Sequence, residues 1–120
     1  MKFIKQTISS NKNGNCLAAC IASLLEKNIN DFPEIPNNEK WFDSMNEWVK
    51  SQYNYEMLPI DLSKRANLET TIIAIGESPN YKDKEHGVLW KNGKLLFDPS
   101  LSNKGLKGLP KYYILLLPIF

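Results

Sequence analysis

The run CLAACIASLLE, residues 16 to 26, constrains this chain more than any other stretch. Leu17, Cys20, Ile21, Leu24 and Leu25 recur at i, i+3, i+4, i+7 and i+8, the period of one apolar helical face. Ala18, Ala19 and Ala22 keep the other faces small, so this helix can be buried on most sides, as a central helix is. Gly14 and Asn15 make a turn ahead of it, and Asn15 is the expected N-cap. The helix therefore opens on a thiol, Cys16.

A buried cysteine often serves only as a small hydrophobe. Position argues for more here. At a first helical turn, unpaired backbone N–H groups and the helix dipole favour negative charge. The thiolate is the nucleophilic form of cysteine. The backbone N–H of Cys16 also lies near the place where an oxyanion forms after attack on a carbonyl. Cys20, one turn on, is assigned to the core; a disulfide to Cys16 within one helix would be strained. Two Cys and one His are too few for a tetrahedral zinc site, and no cofactor is expected.

A nucleophilic thiol needs a base, and His86 is the only histidine. In KDKEHGVLW it stands where a polar loop ends and an apolar strand begins, with Gly87 leaving room beside it. The imidazole needs an orienting group in turn, and Asp98 closes the partner strand in KLLFDPS. Two turns suit the intervening KNGK. A three-residue loop of Lys91, Asn92 and Gly93, with Gly93 left-handed in a G1 bulge, pairs Trp90 with Lys94, Val88 with Leu96 and His86 with Asp98. A two-residue Asn92-Gly93 turn shifts the pairing by one and points Asp98 away. The three-residue loop is the expectation adopted.

The rest of the chain supplies a frame. Residues 1 to 13 read as extended or irregular, with Phe3 and Ile4 as anchors, and NINDFPEIPNNE as a loop. Residues 39 to 53 form a second helix with Trp41, Phe42, Met45, Trp48, Val49 and Tyr53 on one broad face, assigned to core rather than cleft. Strands are expected at 55–60, 70–76, 86–90, 94–98 and 111–119. Helices first and strands afterwards is the α+β order. The segment GESPNYKDKE, 76–85, leads into His86 and is placed to line or gate a cleft.

With 120 residues the chain fits one domain, 1–120. Its 15 basic and 13 acidic residues are scattered, which argues against a nucleic-acid or anionic-membrane partner. No apolar run approaches the roughly 18 residues that span a bilayer. A polar start after Met1 suggests no signal peptide, a cytoplasmic setting and free thiols.

A Cys at a helix start, then a His at a strand start, then an Asp on the next strand, resembles the order of papain-like cysteine proteases. GNCLAACIASLL, HGVLWKNGKLLFDPS and the trailing NKGL look closest to small bacterial and phage members, similar to the bacteriocin-processing peptidase domain and to NlpC-like proteins. The resemblance covers about Gln6 to Pro118. It implies a papain-like fold, with the helix bearing Cys16 packed on an antiparallel sheet bearing His86 and Asp98. It implies Cys16 as nucleophile, His86 as general base and acid, and Asp98 as the holder of the imidazole tautomer. It also implies a Gln before the Cys as oxyanion donor. Gln6 is the only upstream Gln and lies ten residues away, against the usual six or so; Asn11, Asn13 and Asn15 are alternatives. The implied chemistry is acyl transfer through a thioester on a protein or peptide substrate. Three functions share this scaffold: a cysteine hydrolase or peptidase; an acyltransferase or deamidase, including transglutaminase-like activity; and a binding or inhibitor module, for example phage-encoded and directed at a host factor.

Overall fold

In the computed structural model, which describes residues 1–8, 15–35, 38–61 and 69–119, two helices pack with one five-stranded antiparallel sheet. The helices are α1 (Cys16–Leu25) and α2 (Trp41–Tyr53), with a short 3-10 turn at Ile29–Asp31 between them. The strands are β1 (Tyr55–Asp61), β2 (Ile72–Glu77), β3 (Glu85–Lys91), β4 (Lys94–Phe97) and β5 (Lys107–Pro118), in spatial order β1-β5-β2-β3-β4. The expected α+β order is therefore present. No helix among the described residues is long and apolar enough to cross a membrane.

The alanines of α1 do what their size suggests. Ala18 to Ser23 are all buried, and the helix lies against β3. Ser23, a poor residue for an apolar interior, is satisfied there: Oγ donates to Ala19 O at 2.7 Å and accepts from Ile4 N at 2.9 Å. The helix stops at Glu26, which turns left-handed (φ 55°), and the amides of Glu26 and Lys27 both close on the carbonyl of Ala22. On α2, Met45 and Val49 are buried. Asn46 reaches over to accept the β1 amide of Met57 at 2.8 Å, fixing helix to strand.

β2 is buried over Ile72 to Gly76 because it has cover on both faces. Ile73 and Ile75 join Cys20, Ile21, Met45 and Leu89 in the helix-side core; Ile72 and Ala74 meet Val88 and Tyr113 on the other side. β5 starts at Lys107, not at residue 111 as expected. Gly108 (φ 82°) allows an irregularity there, so that Glu77 pairs with Lys107 and Ile75 with Tyr112. Gly76 is what lets the irregular strand come close: a Cβ there would lie 3.4 Å from Leu109 O and from Pro110 Cα.

The hairpin corrects the expected three-residue loop. Lys91 pairs with Lys94, so the turn has two residues, with Asn92 (φ 54°) and Gly93 (φ 76°) both left-handed as a type I′ turn requires. Trp90 then pairs with Leu95, but Leu89 pairs with Phe97, leaving Leu96 as the extra residue of a β-bulge. A bulge offsets the one-residue shift of the shorter turn. Extrapolated past Phe97, the pairing sets Asp98 against Val88, two residues from His86 and so on the same side of the ladder. The expected direct pairing of His86 with Asp98 does not occur; their common side is kept by another route.

Candidate functional site

Cys16 is the first residue of α1, half-buried, with its sulfur 3.4 Å from the backbone N of Gly87, which donates to it. Gly87 is closely packed on the side of Ile75. A Cβ there would sit 3.2 Å from Ile75 Cδ1 and 3.9 Å from Cys16 Sγ. Asn15 holds the N-cap position, yet its side chain does not cap the helix, contrary to expectation. Its Oδ1 accepts the amides of Thr7 and Ile8 at 3.0 and 2.9 Å, and its Nδ2 donates to Thr7 Oγ1 at 2.8 Å. Asn15 thus ties the N-terminal segment beside Cys16 and does not itself cap the first-turn amides of α1.

His86 is 7% exposed, and its Nε2 lies 2.7 Å from Asp98 Oδ1. With Nε2 engaged by Asp98, Nδ1 is the ring nitrogen left to serve the thiol of Cys16, which lines the same cleft. Burial alone would discharge the ring. The hydrogen bond to Asp98 and the charges of Asp98 and Cys16 outweigh it, and the pKa rises to about 9.

Asp98 is 4% exposed and lies one residue beyond β4. Oδ1 also accepts the amide of Ser100 at 2.8 Å, and Oδ2 accepts the amide of Gly105 at 2.7 Å. Burial raises its pKa, but His86 and these two amides prevail and hold it at about 2. The carboxylate is therefore ionised and fully employed. The two amides were not foreseen from the sequence, although DPS is an Asx-turn signal and NKGL supplies the glycine, left-handed at φ 69°.

Gln6, 8% exposed, lines the same cleft as Cys16 and His86. Its backbone N donates to Pro99 O and its Nε2 to Ile8 O, both at 2.9 Å. Among the described residues its Oε1 has no partner and its Nε2 gives one of its two hydrogens, to Ile8. Asn11 and Asn13, the other candidates for that role, lie outside the described residues.

The cleft has a volume of about 310 Å³. Its lining includes the apolar side chains of Phe32, Ile35, Trp41 and Met45 and the polar ones of Ser78, Asn80 and Lys84. The 76–85 segment lines it, as one of the two expected placements had it. Trp41 corrects an expectation: it belongs to the cleft wall, not to the core alone. Trp48 keeps the expected packing role against Phe32 and Tyr53, with centroids 4.6 and 5.4 Å away. Cys20 is wholly buried, and burial pushes its thiol pKa well up. Among the described residues, no three His, Cys, Asp or Glu side chains are grouped to hold a metal. Comparison with protein families, with curated proteins and with solved structures yields no match to this chain.

Proposed function

We propose that the protein is a papain-like cysteine hydrolase or peptidase that cleaves a peptide, isopeptide or other amide bond of a protein or peptide substrate. The supporting observation is the buried Asp98–His86 pair sharing one cleft with a thiol at a helix start, whose sulfur accepts the amide of Gly87, the residue after His86. A cation beside a thiol favours the thiolate. Cys16 Sγ attacks the substrate carbonyl, forming the C–S bond while the carbonyl π electrons move to oxygen. The backbone N–H of Cys16 and the other Nε2 hydrogen of Gln6 take that oxyanion. The C–N bond then breaks as the imidazolium of His86 gives its proton to the leaving amine. Neutral His86 next takes a proton from water, whose oxygen adds to the thioester carbonyl; the C–S bond then breaks, releasing the acid and restoring the thiolate beside the imidazolium. An amine in place of water would give transfer by the same steps.

The test is alkylation of Cys16 by chloroacetamide at pH 6, followed by intact mass. One rapid adduct is expected, absent in Cys16→Ala and slowed at least a hundredfold in His86→Ala. A rate no faster than that of a free thiol, or one indifferent to His86→Ala, overturns the reading.

A further inference from the structure

One lysine stands behind the site. Lys5 Nζ donates to the carbonyl oxygens of Asp98 and Ser100, at 2.9 and 2.8 Å, and to the side-chain oxygen of Asn103. An ammonium has three N–H donors. Here each has an acceptor, and all three acceptors belong to the loop that shapes Asp98. Inside that loop the amides of Ser100 and Gly105 grip the carboxylate; outside it Lys5 grips the backbone. The ammonium also stands over an aromatic ring, with Nζ 5.1 Å from the centroid of Phe97.

The segment that carries Lys5 is itself fixed at both ends. Ile4 is bonded to Ser23 of α1, and Gln6 N donates to Pro99 O within the same loop. Lys5 therefore links the helix bearing Cys16 to the loop bearing Asp98. None of its partners is a reacting atom, so its action must pass through Asp98 to the imidazole.

We propose that Lys5 is a positioning residue: its ammonium closes the Asp98–Asn103 loop and so fixes the carboxylate that holds His86. The proposal rests on the reading of Cys16, His86 and Asp98 as one catalytic unit. The titratable groups against His86 are Asp98 from the loop and Cys16 from α1. Loosening the first must move the titration of the ring.

A single histidine makes the test direct, since its imidazole NMR signals need no assignment. In the wild-type protein they should titrate near pH 9. Lys5→Met should move that midpoint down by at least one pH unit. Lys5→Arg should rescue only in part, because a planar fork does not match three convergent acceptors. Lys2→Met is the control and should leave the midpoint unchanged. If Lys5→Met proves too unstable, Asn103→Ala removes one acceptor and should give a smaller shift in the same direction. An unchanged midpoint in a folded Lys5→Met or Asn103→Ala protein overturns the proposal. Failure of the catalytic reading would show differently: His86 would respond to Lys5 while Cys16 stayed no more reactive than a free thiol.

Discussion

The two cysteines separate chemistry from packing within one helical turn. Cys16 lines the cleft and touches Gly87 N, whereas Cys20 is wholly enclosed by the core. Cys16→Ser should therefore abolish turnover and leave the melting temperature within a few degrees. Cys20→Ser should stay active but lose about 1–3 kcal/mol, because its hydroxyl is desolvated among apolar neighbours. Activity and thermal unfolding of the two variants check this, and the opposite pattern would move the nucleophile to Cys20. Gln6 offers a second residue-scale comparison. Gln6→Ala should lower kcat on the order of a hundredfold if its second N–H meets the oxyanion. A change under threefold would leave that task to the backbone N–H of Cys16. Cys16, His86 and Asp98 could be grouped from the sequence because each stands at a marked place, a helix start, a strand start and a strand end, and Gln6 because it is the one Gln ahead of Cys16. Lys5 could not be, since nothing distinguishes one lysine in a polar segment until the chain brings Asp98 back to it from 93 residues away.

Elements were legible where local periodicity decides them and not where pairing does. The alanine and leucine pattern placed α1, and the sheet strands at 55–60 and 70–76 fell within a residue or two of β1 and β2. The hairpin exposed the limit. Asn92-Gly93 takes the two-residue turn that its chemistry favours, and the side on which Asp98 falls is set instead by Leu96, which no local signal marked as a bulge. Removing that residue is an unusual test. Deleting Leu96 leaves a regular ladder in which Leu89 still pairs with Phe97, so Asp98 keeps its side. His86 should then titrate within about half a pH unit of wild type, and Cys16 should alkylate within threefold of its normal rate. Adding one Ala after Leu96 moves Asp98 on by one, turns it away and should return the imidazole toward its ordinary value near 6.5. If the deletion also freed the imidazole, the bulge would matter for local shape and not for register.

At the scale of the whole molecule, the site and the stability of the fold share one buried ion pair, so they must share a pH dependence. His86 titrates at about 9 in the folded protein, against an unperturbed value of 6.5. The folded state thus binds this proton more tightly than the unfolded chain does. Its stabilisation is complete below pH 6.5 and is lost as pH rises through about 9. Asp98 titrates at about 2, against 3.8 unperturbed. Its stabilisation is complete above 3.8 and is lost as pH falls toward 2. The two windows overlap between about pH 4 and 6.5, where the pair contributes most. Asp98→Asn removes the carboxylate that causes both shifts to a large extent. The difference in unfolding free energy between wild type and Asp98→Asn should therefore form a plateau from pH 4 to 6.5 and shrink on both sides. Denaturant titrations at pH 3, 5.5 and 9 measure it. The alkaline limb of turnover should fall in the same range in which the plateau decays, since the leaving amine takes its proton from His86 and both follow the loss of that one proton. A stability difference that kept growing from pH 6.5 to 9 would mean that the imidazole is neutral in the folded protein, and that the site holds a thiol and an imidazole in place of an ion pair.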